Sequence, residues 1–244
     1  MWYWLFKYIF MGPPLALIGR PNVEGVEHVP QSGPAILASN HLAVIDSFYL
    51  PLVVRRRITF LAKAEYFTGR GLKGWFKRWF FTAVGQVPID RTDADSAQAA
   101  LKTAERLLSR GKLLGMYPEG TRSPDGRLYK GKTGLARLAL ETGVPVIPVA
   151  MIGTNEVNPL GKKMLRFGRV TVRFGKPMDF SRFDGLEGNR FIERAVVDEV
   201  IYELMGLSGQ EYVDIYAATV KNGDGSAEQA GTNGSARIPE TAAG

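Results

Sequence analysis

The chain has no cysteine and only two histidines, His28 and His41, among its 244 residues. Without thiols it forms no disulfide and offers no thiolate nucleophile, and it has too few ligands to build a zinc site from Cys and His. Long apolar runs are missing as well. Residues 1–18 are aromatic and apolar, but Lys7 and Gly12-Pro13-Pro14 break them. What remains falls short of the roughly 20 apolar residues that cross a bilayer as one helix. The same stretch lacks the basic start and small-residue cleavage site of a secretion signal. No Gly-x-Ser-x-Gly elbow occurs, which disfavours a serine hydrolase.

What is present describes one globular domain. The composition is 45% hydrophobic and 23% charged, and this length suffices for a well-buried core. We divide the chain into an N-terminal segment (1–19), a domain (20–220) and a tail (221–244). The tail holds Gly, Ala, Ser, Asn and Glu with almost no large apolar residues and is expected to be disordered. The net charge of +7 is local: residues 53–91 carry nine Lys or Arg against two acids, so the rest nets to zero. Charge so placed is aimed at an anionic partner. Trp2, Tyr3, Trp4, Phe6, Tyr8 and Phe10 favour a membrane-water boundary, and a first helix packed on the core is the alternative. Leu72, Trp75, Phe76, Trp79 and Phe80 recur at helical spacing beside Lys73, Lys77 and Arg78. That pattern fits either a membrane-facing helix or a core helix.

Strand-like runs fall at 35–38, 58–62, 84–89, 113–117, 144–150 and 170–174. Between them lie helical patterns. One follows Asp93 and Asp95 as N-cap candidates, aligns Ala97, Leu101, Ala104 and Leu108 on one face, and stops at Gly111; another spans 133–142. Alternating strands and helices predict an α/β fold, a single domain with a largely parallel or mixed sheet flanked by helices.

The chemistry centres on Asn40-His41-Leu42-Ala43-Val44-Ile45-Asp46. An imidazole takes and returns a proton near neutrality, and an acid that fixes its tautomer makes it a general base. Five steps along a helix turn through about 500°, which leaves the two side chains about 140° apart. They meet only if His41 lies in a turn and Asp46 near the start of the next helix. Three further blocks follow: Gly85-Gln86-Val87-Pro88-Ile89-Asp90-Arg91, Pro118-Glu119-Gly120-Thr121-Arg122-Ser123 and Val144-Pro145-Val146-Ile147-Pro148-Val149. Singly, each has a bland reading: a cap pair, an Arg91–Asp90 pair, a solvated turn at Arg122. In this order they resemble the four blocks of the glycerolipid acyltransferase family, over roughly residues 20–180. Leu42 and Ala43 stand where many members carry a polar residue, and Tyr117 where Phe is commoner.

The resemblance implies transfer of a fatty acyl group from a thioester, acyl-CoA or acyl-carrier protein, to a hydroxyl of 1-acylglycerol 3-phosphate. Other acceptors remain open, namely glycerol 3-phosphate, a lysophospholipid or a glycolipid, as does noncatalytic lipid binding. It implies His41 as base and Asp46 as its orienting partner. Lys63, Arg91, Glu119, Gly120, Thr121 and Arg122 would form the phosphate-binding set. Lys130 and Lys132, ahead of the helix at 133, are candidates for contact with the phosphates of a bound cofactor. The chemistry calls for no metal or redox cofactor. The implied partners are a lipid surface, a lysophosphatidate-like acceptor and a thioester donor, with no nucleic acid, and the implied placement is peripheral or monotopic on the cytoplasmic face. Two other patterns are decoys by context. Gly69-Arg70-Gly71-Leu72-Lys73-Gly74 fits a dinucleotide fingerprint away from any strand-to-helix turn, and Gly126-Arg127-Leu128-Tyr129-Lys130-Gly131-Lys132-Thr133 fits a P-loop expression far from a strand end.

Overall fold

A strand covered on both sides must be apolar at every step, and Ala35-Ile36-Leu37-Ala38 meets that requirement. In the computed structural model, which describes residues 2–63, 69, 71, 74–75, 78–79, 85–89, 94–162 and 164–221, this run is β2 (Ala35–Ser39), buried throughout. Around it stand β1 (Asn22–Glu24), β3 (Ile58–Lys63), β4 (Gln86–Ile89), β5 (Leu113–Met116), β7 (Val146–Ile152) and β8 (Thr171–Phe174). The seven strands form one sheet in the order β1-β8-β7-β2-β5-β3-β4. All neighbours are parallel except β7 and β8, so the sheet is mixed. Two further short strands, β6 (Leu128–Tyr129) and β9 (Tyr212–Val213), pair separately.

The period of two along β2 divides the core. Ala35 and Leu37 join Tyr49 and Leu50 on one face, while Ile36 and Ala38 join Leu135 and Val196 on the other. The first face is covered by α1 (Trp2–Leu5), a π-helical turn (Phe6–Met11), α2 (Gly12–Gly19) and α3 (Asp46–Val53). The second is covered by α4 (Ala94–Ser109), α5 (Gly134–Thr142) and, beyond the short α6 (Thr154–Val157), by α7 (Arg190–Ser208). A last helix, α8 (Ala217–Lys221), follows β9. Three layers result, as the alternation of elements predicts.

Several expectations shift. The α4 helix begins at Ala94, which puts Asp95 inside its first turn rather than at the cap; Asp93 lies outside the described residues. β7 starts at Val146, after Pro145 has used its carbonyl to accept from Ile36 N at 3.0 Å. α7 went unplaced in the sequence, yet its signals are ordinary: Asn189 Oδ1 accepts from Phe191 N at 3.0 Å, and Val196, Val200 and Leu204 recur on a buried face. Lys221, assigned to the tail, belongs to α8, and residues 222–244 lie outside the described residues. The N-terminal segment divides its faces: Tyr3, Lys7 and Leu15 are buried, whereas Trp2, Trp4, Tyr8 and Phe10 are exposed. Tyr49 Oη donates to Leu15 O at 2.9 Å, tying α2 to α3. Trp79 meets the same segment, its ring 5.4 Å from Trp2 and 5.3 Å from Phe6; Leu72, Phe76 and Phe80 lie outside the described residues. Among the described residues no helix is long and apolar enough to cross a membrane.

Candidate active site

Parallel strands send their following loops off the same edge of the sheet. Ala38 of β2 pairs with Met116 of β5, so the residues after each strand meet although His41 and Glu119 stand 78 positions apart. Open α/β sheets hold ligands at this carboxyl edge. Asn40 prolongs β2 with its side chain: Met151 N donates to Oδ1 at 2.7 Å, and Nδ2 donates to Met151 O at 3.0 Å and to Gln210 Oε1 at 2.6 Å. The chain then turns. His41 lies in that turn and Asp46 is the first residue of α3, which brings His41 Nδ1 to 2.8 Å from Asp46 Oδ2.

The buried Asp46 fixes the tautomer. Its Oδ2 also accepts from Leu42 N at 2.7 Å and Ala43 N at 2.8 Å. An oxygen that takes two amide protons is an acceptor, so Nδ1 carries the hydrogen, and in the neutral ring Nε2 then keeps the lone pair. The N-terminus of α3 adds favourable partial charge to this carboxylate. Among the described residues Asp46 Oδ1 has no partner. The imidazole is held flat by Tyr117, with ring centroids 3.8 Å apart and planes at 11°, and Tyr117 rests in turn on Phe60 at 5.7 Å. Gly115 makes the room, since a Cβ there would come within 2.3 Å of the Phe60 ring. The hydroxyl that distinguishes Tyr117 from Phe lies 2.8 Å from Ser47 Oγ. Burial, reinforced by the Asp46 charge, raises the Tyr117 phenol well above its ordinary range and keeps it neutral.

The loop after β5 supplies a second layer. Glu119 is 1% exposed; Oε1 accepts from His41 N at 3.1 Å and Oε2 from Tyr129 N at 3.0 Å. Burial pushes its carboxyl up to about 7 against those two hydrogen bonds. The resemblance groups Glu119 with the phosphate-binding residues. With its two oxygens engaged by those amides, Glu119 is a strut that joins the His41 turn to β6 and shapes the loop. Gly120 takes φ +74°, a conformation that favours glycine, and its amide donates to Tyr117 O at 3.0 Å. Ser123 N closes the arrangement by donating to His41 O at 2.7 Å. Among the described residues the amides of Thr121 and Arg122 meet no acceptor, which leaves two donors for an anion.

The cations divide. The Lys132 chain passes within 3.0 Å of where a Gly120 Cβ would stand, beside the loop. Lys130 is ion-paired with Asp214 at 2.9 Å. Arg122 is half-buried in the loop. Lys63 ends β3 at the same edge, and Arg91 lies outside the described residues. One cation escaped the sequence reading: Lys221 Nζ donates to Thr121 Oγ1 at 2.8 Å and to Arg122 O. No local pattern announces a contact 100 residues long. Burial, and after it the Arg122 charge, lowers the Lys221 ammonium below its ordinary value. The P-loop expression is disposed of directly, because its centre is β6, paired to β9.

The Acyltransferase family model matches residues 20–152. A chloroplastic 1-acyl-sn-glycerol-3-phosphate acyltransferase of Arabidopsis thaliana is 36% identical over 68% of this chain and 45% of its own length. The Limnanthes alba 1-acyl-sn-glycerol-3-phosphate acyltransferase is 31% identical over 72% of this chain and 60% of its own. The chain thus spans about half the length of the curated relatives it matches. The crystal structure of the 1-acyl-sn-glycerophosphate acyltransferase PlsC from Thermotoga maritima superposes with a TM-score of 0.55 at 28% identity, covering 77% of this chain and 73% of that one. With more than half of its residues under one family model, and with a fold shared with a solved relative, the chain belongs to the acyltransferase family.

Proposed function

We propose that the protein moves a fatty acyl group from an acyl thioester, acyl-CoA or acyl-carrier protein, to the free hydroxyl of 1-acylglycerol 3-phosphate, forming phosphatidic acid. The observation that carries this reading is the His41–Asp46 pair, with Nδ1 locked and Nε2 free, beside a loop rich in donors and cations. His41 Nε2 takes the proton as the acceptor oxygen attacks the thioester carbonyl. The carbon–sulfur bond then breaks, and the imidazolium returns the proton to the departing thiolate. Asp46 stabilises that imidazolium and holds the ring, a role that contributes without being protonated itself. Amides of Thr121 and Arg122 suit the acceptor phosphate or the developing oxyanion. Arg122, with Arg91 and Lys63 as its implied companions, matches phosphate as paired donors on a rigid fork. The names of the relatives support the acceptor.

Both substrates carry acyl tails, and drawing one into water costs about 0.8 kcal/mol per methylene. A site at the lipid surface avoids most of that cost. The exposed rings of Trp2, Trp4, Tyr8 and Phe10 support this peripheral or monotopic placement. Mass spectrometry of products tests the proposal, with 1-acylglycerol 3-phosphate, glycerol 3-phosphate and a lysophospholipid offered with each thioester donor. Phosphatidic acid is the expected dominant product. Preferred acylation of another acceptor, or lipid binding with no product, would contradict it.

A further inference from the structure

The loop between α6 and β8 exposes apolar side chains that a folded protein ordinarily covers. Met164 is 83% exposed and Phe167 75%, while Leu165 between them packs on the core. The segment is pinned: Arg166 N donates to Val157 O at 2.8 Å, Gly168 N to Ile18 O at 3.0 Å and Val170 N to Gly19 O at 2.8 Å. The last two bonds tie the segment to the end of α2, where Leu17 is itself 64% exposed. Its charge is of one sign. No Asp or Glu stands between Glu156 and Asp179, whereas Lys162, Lys163, Arg166 and Arg169 do. Of these, Lys162, Arg166 and Arg169 are exposed and form no ion pair among the described residues.

Topology decides which way this surface faces. Ile152 at the end of β7 pairs with Thr171 at the start of β8, so residues 153–170 leave from and return to the carboxyl edge that holds His41. Asn22 at the start of β1 also pairs with Thr171, so α2 delivers the chain to that edge too. We infer that residues 158–162 and 164–169 form a second membrane-contacting element, which seats Met164 and Phe167, together with Leu17, in an anionic lipid surface. The inference rests on the interfacial reading above and extends it. Rings and thioethers enter the acyl boundary while the neighbouring cations meet lipid phosphates. The two elements together orient the carboxyl edge toward the bilayer, where a lipid acceptor enters.

Because the chain lacks cysteine, one introduced thiol reports one place. Phe167→Cys and, at the opposite edge, Val26→Cys are labelled with an environment-sensitive fluorophore and mixed with phosphatidylglycerol–phosphatidylcholine vesicles. The label at 167 should shift to the blue and the label at 26 should not. The doubly reversed variant Lys162→Glu, Arg166→Glu should partition into these vesicles at least about 10-fold more weakly at low salt. M164E/F167E should lose vesicle-presented acceptor but keep turnover of a short-chain soluble one. Co-sedimentation with no shift at 167, or an equal shift on adding nucleic acid without lipid, would overturn the inference. The fluorescence needs no turnover, so a wild-type protein that transfers no acyl group would sink the proposed activity and leave this surface standing.

Discussion

Replacing Glu119 with Gln should flatten the pH dependence of stability, and the size of the effect follows from burial. The Glu119 carboxyl stands at about 7 in the fold against an ordinary 4.5, because it is buried with only two amide donors. Its folded form therefore holds the proton more tightly than the unfolded chain. Stability from this group is complete below pH 4.5 and is lost as pH rises through about 7. Integrated between pH 5.5 and 8, the loss is about 2 kcal/mol. Gln cannot titrate. It satisfies one of the amides of His41 and Tyr129 and opposes the other with its own NH2, a pH-independent cost of about 1–3 kcal/mol. Urea unfolding followed by circular dichroism at both pH values supplies the four stabilities. The wild type should fall by about 2 kcal/mol more than the variant between them. Parallel behaviour of the two proteins would show that Glu119 is ionised at no cost and would refute the strut as drawn.

Three perturbations probe the rest of the site. Asp46→Asn removes the negative charge that stabilises the His41 imidazolium and should lower kcat by about 100-fold or more with little change in acceptor KM, measured by steady-state kinetics. Arg122→Lys keeps the charge but loses the fork, so the KM for phosphate-bearing acceptors should rise less than in Arg122→Ala, while an effect confined to the donor would assign Arg122 to the thioester side. Lys221→Met should raise the acceptor KM several-fold by freeing the Thr121–Arg122 turn it now holds, and unchanged kinetics would make that contact structural only.

How much of this was legible in the sequence depends on how local each signal is. β2 and β7 announce themselves because strands covered on both faces are apolar at each step. The His41–Asp46 contact was legible as a condition, since helical geometry demands a turn before a helix start. The short strands were not: β1, β6 and β9 span two or three residues each and exist through pairing with distant partners. The surroundings of Glu119 were hidden for a related reason. A motif says that an acid is required, whereas only the fold shows that its two oxygens accept from the amides of His41 and Tyr129. Lys221 lay beyond reach altogether, because what gives it meaning is a loop 100 residues away. The charge of 162–169 was hidden by bookkeeping over the whole chain, where acids elsewhere cancel it.

The central claim is that His41 Nε2 moves the proton in acyl transfer, and turnover of His41→Ala tests it most directly. The side chain is 15% exposed and ends at the site, so its removal should leave the circular dichroism spectrum and unfolding midpoint near those of the wild type. Phosphatidic acid formation from acyl thioester and 1-acylglycerol 3-phosphate should fall by about 100-fold or more, the scale of a lost general base. Near-normal turnover by the folded variant would contradict the mechanism.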